Sequence, residues 1–238
     1  MRAALLLCLV GVAAGVSAQA PSPPRFSAAP AGALPASWQH LLLAANKQPT
    51  EYSLAADDGV VVLRANSRNA ASFLAWRTDY DPRAFPWLTW RWKVVRPIAG
   101  ADTRDRKRED APARVMVSFA GDSSKLPATD RATAALAEAI SGHPLPYAWL
   151  MYVWGAKVAR DSVTISALTP RIRMIAVASD DDQTGRWLDY RRNIADDFRR
   201  AFGEEPGRVT AIQVMTDTDN TGSVAEAFYG DIGIAPAQ

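Results

Sequence analysis

The segment 215–222 holds the densest group of side chains that could do chemistry. Asp217, Asp219 and Asn220 alternate with threonines and are followed by Gly222, directly after an apolar run. An Asp at the first position and a Gly at the fourth position are typical of a type I turn, and Asx side-chain bonds stabilise such turns. The same oxygens suit a hard cation, because Ca²⁺ takes 6–8 oxygen ligands. They also suit a polar ligand, so three uses stay open.

The metal interpretation makes Asp217 and Asp219 ligands of a structural calcium ion in a β-sandwich loop. The pattern departs from the helix–loop–helix calcium loop, because the twelfth position counted from Asp217 is Phe228 and not Glu. Calcium in that loop class is therefore excluded, whereas a cation held by a loop of another kind remains an alternative to a plain turn.

A catalytic interpretation rests on the spacing of the same two carboxylates. In an extended chain, Asp217 and Asp219 point the same way about 6.6 Å apart, near the separation found in inverting glycosidases. The only histidines, His40 and His143, have no zinc-ligand spacing, and no Gly-x-Ser-x-Gly motif or phosphate-binding glycine loop is present. We therefore name no catalytic residue, and we favour a binding protein over an enzyme.

Short segments with β character make up most of the chain. The run Trp87–Val94 alternates strictly and places Trp90 and Trp92 on its apolar face, whereas Tyr147–Trp154 is apolar on both faces, as in a central strand. Asp57-Asp58-Gly59 lies between two apolar runs and predicts a hairpin. Further strands are predicted at Arg114–Phe119, Val209–Met215 and Phe228–Ile234.

Two helices interrupt the predicted strands. One covers Asp130–Ser141, with Thr129 as its cap and an apolar stripe along one side. The other carries an apolar stripe from Trp187 to Phe202 and ends at Gly203. The pattern predicts an antiparallel β-sandwich of jelly-roll type with two short α-helices. The charged segment 104–110 is expected to be a solvated loop or an arm that binds a partner.

The first 20 residues have the features of a secretory signal peptide: Met1-Arg2, an apolar run and small residues at the cleavage position. The only cysteine, Cys8, lies in that run, so disulfides and cysteine metal sites are excluded after cleavage. We expect a periplasmic or secreted protein with a Pro/Ala-rich linker at 21–35 and one domain at 36–238. The balance of 27 basic against 25 acidic residues argues against a nucleic-acid partner, and no later segment is long and apolar enough to span a membrane.

Several of these segments together resemble a bacterial secreted family catalogued as domain of unknown function 3047. The resemblance runs from about Phe26 to Ile234, and its best-marked parts are Trp87–Val94, the helix at 196–203 and Tyr229-Gly230-Asp231-Ile232. This family implies no activity. The closing segment is also similar to the end of galactose-binding-like jelly rolls, a resemblance of fold only, and fold does not imply function.

These observations favour a non-catalytic module that binds a saccharide or a cell-envelope glycan. Asp217, Asp219, Asn220 and Asp231 would bind hydroxyls, and Trp154 or Tyr229 would supply an aromatic ring, because flat rings stack on sugar faces. A glycan hydrolase that uses the Asp pair and a purely structural envelope protein are the alternatives.

Overall fold

The computed structural model of the protein describes residues 19–179 and 183–237. The predicted signal peptide lies outside the described residues except for its last two positions. Within the described ranges, no helix is long and apolar enough to cross a membrane.

The described residues form two β-sheets and two α-helices, as the sequence predicts. One sheet has seven strands: β1 (Trp38–Leu42), β4 (Ala71–Tyr80), β6 (Arg114–Phe119), β7 (Ala148–Trp154), β8 (Val163–Ile165), β9 (Ile172–Ala178) and β11 (Val209–Asp217). The other has six: β2 (Glu51–Asp57), β3 (Val60–Arg68), β5 (Trp87–Arg96), β10 (Leu188–Asn193), β12 (Val224–Tyr229) and β13 (Gly233–Ala235). The helices are α1 (Ala128–Ser141) and α2 (Ile194–Phe202).

The strand order places β11 and β6 in the middle of the larger sheet. That sheet runs β1-β4-β11-β6-β7-β9-β8, and all its neighbours are antiparallel except the parallel pair β7 and β9. The smaller sheet runs β10-β5-β12-β3-β2, and β13 pairs with β5. Strands that are adjacent in space are therefore often distant in sequence, as in a jelly roll.

The main core lies between the two sheets. Trp90 and Trp92 point into it, as their alternation in β5 predicts, and both are almost fully buried. Trp90 stacks on Tyr190 with 5.0 Å between ring centroids and lies 4.9 Å from the ring of Tyr152 on the opposite sheet. The structure thus confirms a mostly-β sandwich with indoles between its layers.

Local signals explain most turns and helix ends. The predicted hairpin joins β2 to β3 with positive φ at Asp58 (50°) and Gly59 (79°). The second helix is shorter than predicted, because Trp187 precedes and Tyr190 lies within strand β10. The side chain of Asn193 accepts bonds from two main-chain N–H groups and starts α2 at the next residue. Gly203, at φ 72°, ends α2 as expected.

Three further expectations need correction. Thr129 does not cap α1, which begins at Ala128 with Pro127 at the cap position and no side-chain cap bond. The closing segment is two strands and not one, because its register with β5 shifts by one residue between Tyr229, opposite Trp92, and Gly233, opposite Thr89.

The third concerns the proposed linker at 21–35, which packs on the sandwich. Phe26 is 1% exposed and lies against Trp38, with 5.2 Å between their ring centroids.

The charged loop is only partly solvated. Arg104, Arg106 and Lys107 are exposed, but Asp102 and Asp110 are buried. Asp110 bonds to the main chain of Asn220 and Thr221, whereas Asp102 pairs with Arg104 within the loop.

Candidate functional site

The outer face of the seven-stranded sheet, turned away from the smaller sheet, forms the floor of a pocket of about 610 Å³. Six large apolar side chains from five strands share this face: Phe73, Met116, Trp149, Met151, Met174 and Met215. They are all at most 9% exposed, although no second sheet covers them. Both faces of the central strands are therefore apolar, and one of them borders a cavity.

The strand register sets the floor in rows. Met116, Met151 and Met174 are direct cross-strand partners on β6, β7 and β9. Met215 lies on β11 opposite Phe73 of β4. Four of the five methionines of the chain thus lie on one sheet face, and the fifth is Met1. Methionine is flexible and polarisable, and such surfaces adapt to differently shaped apolar partners.

One aromatic ring of the floor is held by a polar anchor. The Nε1–H of Trp149 donates to the Ser118 hydroxyl at 2.6 Å. Its ring meets Phe73 edge to face, with 6.3 Å between centroids. The indole orientation is therefore fixed before any ligand arrives.

Helix α1 borders the pocket and contributes apolar side chains to it. Leu136, Ala137 and Ile140 line the cavity, and no residue of α1 is buried. Leu136 is 62% exposed and Ile140 is 55% exposed. The sequence predicts an apolar stripe along this helix, and the stripe faces a cavity in place of a closed core.

A buried ion pair closes one end of the floor. Arg114 donates through Nε to Oδ1 of Asp217 and through Nη2 to Oδ2, each at 3.0 Å. The Ala111 N–H also donates to Oδ1 at 3.0 Å. Burial raises the pKa of the Asp217 carboxyl to about 6, although the Arg114 charge pulls it down. Burial likewise raises the pKa of Glu109, whose carbonyl accepts a bond from Arg114.

The turn that follows β11 is tied to the charged loop. Asp110 accepts the N–H of Asn220 at 3.1 Å, the N–H of Thr221 at 2.7 Å and the Thr221 hydroxyl at 2.6 Å. Asp219 forms an ion pair with Lys47. The N–H groups of the turn are therefore held by a carboxylate of the charged loop, and not by the Asx side-chain bonds within the turn that the turn interpretation expects.

The same residues could also hold a metal ion. Asp110, Asp217 and Asp219 each offer an oxygen, and these three oxygens lie within 4.8 Å of one another. The sequence identified two of these carboxylates. It missed Asp110, which lies more than 100 residues away in the loop expected to be solvated.

The structure separates the residues proposed for ligand binding. Asp217, Asp219 and Asn220 line the pocket, as a shared site requires. Trp154 and Tyr229 do not, because both are buried between the sheets with 3% and 1% exposure. The proposal of either ring as a ligand platform is therefore corrected.

Hydrogen bonds within the fold account for Tyr229 and Asp231. Tyr229 donates its hydroxyl to the Met215 carbonyl at 2.6 Å and so has a structural partner. Asp231 accepts the N–H of Ser27 at 3.0 Å and its hydroxyl at 2.5 Å, and it is not among the lining residues of the pocket. Asp231 thus fastens the N-terminal segment.

The sequence analysis did not select Trp149, Phe73 or the thioethers of the floor as ligand contacts. Trp149 and Met151 alternate with the core residues Leu150 and Tyr152 in β7. A strand that is apolar on both faces predicts burial on both sides, and the sequence does not say whether protein or ligand supplies the second cover.

The fold and this pocket define a β-sandwich protein with a ligand-sized cavity on an outer sheet face. The chain belongs to the family described as protein of unknown function (DUF3047), which matches residues 36–233. The resemblance inferred from sequence is thereby confirmed. No curated protein matches the chain.

Solved structures with a similar architecture include three carbohydrate-active enzymes. The xyloglucanase domain of NopAA from Sinorhizobium fredii, in complex with cellobiose, is 7% identical with a TM-score of 0.45, over 84% of this chain and 93% of that one. Endoglucanase 3 of Trichoderma harzianum, from family GH12, is 5% identical with a TM-score of 0.41, over 86% and 100%. The exolytic alginate lyase AlyA5 of Zobellia galactanivorans is 7% identical with a TM-score of 0.38, over 85% and 95%. These likenesses concern the fold alone.

Proposed function

We propose that this protein is a non-catalytic binding module that holds the saccharide part of a ligand at the polar end of the pocket. The observation that carries the proposal is the pairing of charge there. Arg114 is paired with Asp217, and Lys47 is paired with Asp219. Arg106 and Glu109 also line the pocket and add one charge of each sign. An end whose basic and acidic side chains balance favours an uncharged, hydroxyl-rich group over a phosphate or an ammonium.

The polar end offers the donors and acceptors that hydroxyls need. Asn220 has a side-chain amide that both donates and accepts, and it is exposed. Asp219 and Lys47 are held together but retain further acceptor and donor capacity. The Trp149 ring lies on the same floor and supplies a flat apolar surface.

The hydrolase alternative receives no support from this geometry. Asp217 accepts bonds from Arg114 at both oxygens and from a main-chain N–H. Three of the four acceptor positions of this carboxylate are occupied and Asp219 is paired with Lys47, so neither carboxylate is arranged as a general acid. The structural alternative, in which the turn only joins strands, is the outcome expected if no ligand binds.

A screen of the purified protein against a saccharide array tests the proposal, followed by calorimetry with each saccharide found. Asp219→Ala should weaken binding about 10- to 100-fold, which corresponds to the loss of a charged hydrogen bond of about 1.5–3 kcal/mol. Asp231→Ala is the matched control, because Asp231 lies outside the pocket lining, and it should leave affinity unchanged. Equal losses in both variants, or no binder at all, would refute the proposal.

Calcium at Asp110, Asp217 and Asp219 is a separate proposal. Asp110 and Asp217 already accept main-chain N–H bonds, so an ion would chiefly replace Lys47 at Asp219. Thermal unfolding of chelator-treated protein with and without Ca²⁺ tests it. At a free Ca²⁺ concentration of about 100 times the dissociation constant, binding would add about 2.7 kcal/mol to the free energy of unfolding of the wild type. It would add nothing to that of Asp219→Ala. An unchanged unfolding midpoint of the wild type would refute the calcium proposal.

We also propose a periplasmic or secreted location, on the strength of the signal-peptide pattern in residues 1–20. Fractionation of the producing cells and N-terminal sequencing of the purified protein test it. A chain that starts at Gln19 or Pro21 in the periplasm or medium is the expected result. An uncleaved chain in the cytoplasm would contradict it.

A further inference from the structure

The floor of the pocket is far more apolar than a saccharide alone requires. Its four methionines, Phe73 and Trp149 cover roughly 13 Å along the strands, from the Ser118 row to the Arg114 row, and roughly 19 Å across five strands. Saccharide sites need ring faces with polar groups between them, whereas the thioethers here offer only weak acceptors. An extended apolar group fits this floor better than a second sugar.

Helix α1 adds apolar surface where a well-packed protein would have closed the cavity. Leu136 and Ile140 line the pocket, yet both are more than half exposed. Interiors of proteins are normally close-packed, so a cavity of about 610 Å³ between apolar walls indicates space for a ligand. A chain inserted there would remove apolar surface of both floor and helix from water.

The polar end specifies what such a chain carries. The ion pairs Arg114–Asp217 and Lys47–Asp219 leave neither charge of a pair unmatched. Arg106 and Glu109 also line the pocket and add one charge of each sign. A fatty acid or a phospholipid would therefore bring an anionic group to an end whose basic and acidic side chains already balance. An uncharged polyhydroxyl group brings no charge that lacks a counterion.

We propose that the ligand is a neutral glycolipid-like amphiphile whose alkyl or acyl chain lies on the methionine floor beside α1. This inference rests on the proposed function, because the saccharide group occupies the polar end already assigned to it. It adds an apolar chain as the larger source of affinity. The four methionines then serve as an adaptable surface for chains that differ in length or branching.

Calorimetry with alkyl glycosides, below their micelle concentrations, tests the inference. Octyl, decyl and dodecyl maltoside should bind with affinity that rises about tenfold for each pair of methylenes, until the floor is filled. Maltose alone should bind weakly. Dodecanoate and dodecylphosphocholine, which share the chain but carry charged groups, should bind at least tenfold more weakly than dodecyl maltoside.

Two variants test where the alkyl chain of the ligand lies. The double variant Leu136→Ser, Ile140→Ser should keep its fold, because both side chains are exposed, and should flatten the dependence on chain length. Ile165→Ser is the matched control, because Ile165 is 56% exposed and lies outside the pocket lining. Bound dodecyl maltoside should also protect Met151 and Met215, the two more exposed methionines of the floor, from peroxide, as read by mass spectrometry.

The outcomes separate the two proposals. If saccharides bind as tightly as alkyl glycosides, the proposed function stands and the apolar chain is refuted. If dodecanoate or dodecylphosphocholine binds as tightly as dodecyl maltoside, the alkyl chain remains supported and the proposed saccharide group at the polar end is refuted. If none of these compounds binds, both proposals fail. If the α1 double variant and Ile165→Ser change the dependence of affinity on alkyl chain length equally, the placement of the alkyl chain in the pocket is refuted.

Discussion

Replacing Arg114 with Met tests how the polar end of the pocket is held together. Arg114 and Asp217 are 4% and 6% exposed at their side chains, and each donates or accepts two direct bonds with the other. Methionine has a similar length and matches the neighbouring floor. The change therefore removes the charge and its bonds while it keeps most of the buried volume.

The expected loss is large because Asp217 is left without its cation. At about 4 Å and an effective dielectric constant of 20, two unit charges attract by about 4 kcal/mol. Breaking a buried pair by removing one partner typically costs about 3–5 kcal/mol. We expect Arg114→Met to lower the free energy of unfolding by that amount at pH 8.

The pH dependence gives the loss a specific signature. In the wild type, burial raises the pKa of Asp217 to about 6 from its ordinary 3.8. The stability contributed by that carboxyl is therefore greatest below pH 4 and falls as pH rises through 6. Without Arg114, the pKa of Asp217 rises further, so the fall continues to higher pH. The deficit of the variant should widen from pH 6 to pH 8 by up to about 1.4 kcal/mol per pH unit.

Urea unfolding at pH 5, 6, 7 and 8, followed by tryptophan fluorescence and far-UV circular dichroism, measures this profile. Arg104→Met is the matched control, because Arg104 is 58% exposed beside its partner Asp102. It should lower the free energy of unfolding by less than about 1 kcal/mol. Arg114→Met with Asp217→Leu should recover much of the loss, because no charge then remains buried. A deficit below about 1 kcal/mol, or one that is the same at pH 5 and pH 8, would refute the reasoning.

Three further predictions use the same unfolding assay. Trp154→Ala should cost about 3–5 kcal/mol, because it empties space in the core between the sheets; a loss below about 1 kcal/mol would contradict that placement. The double variant Leu136→Ser, Ile140→Ser should change stability by no more than about 1 kcal/mol, since each exposed position contributes within about 0.5, and a larger loss would mean that α1 is packed. Asp219→Asn should cost less than about 1 kcal/mol, because its partner Lys47 is 39% exposed; a loss near that of Arg114→Met would show a buried role.

The sequence predicts the fold class well because its signals are local. Alternation in Trp87–Val94 reports directly on which face is buried, and Asp58-Gly59 supplies the positive φ that a tight hairpin needs. It predicts the boundaries of α2 less well. The apolar spacing of Trp187 and Tyr190 fits a helix, but the pairing of β10 with β5 begins at Leu188 and holds Tyr190 in extended conformation. Pairing partners that are distant in sequence leave no local signal.

Only the part of the candidate site that lies in one local segment could be predicted from the sequence. The turn at 217–222 is visible as a run of oxygen-bearing side chains in one segment. Its partners Asp110 and Lys47 come from loops far along the chain, and only the fold brings them to it. The presence of tryptophan alone could not identify the ring of the site. Trp149 and Trp154 belong to the same strand, and because they are an odd number of residues apart they point to opposite faces of the sheet.

The central strands explain why the pocket exists. A sheet with two apolar faces needs two covers, because apolar surface left in water costs free energy in proportion to its area. The six-stranded sheet covers one face through Trp90, Trp92 and their neighbours. On the other face the cover is partial: Leu41, Leu43, Leu145 and Val158 pack against the floor. Helix α1 buries none of its own residues and leaves a cavity above the methionine floor. Incomplete cover is costly for a structural protein and necessary for a binding protein, because a ligand can take only the space that the protein leaves. The exposed stripe of α1 and the methionine floor are therefore best explained together, as two walls of a site whose third component is an apolar ligand.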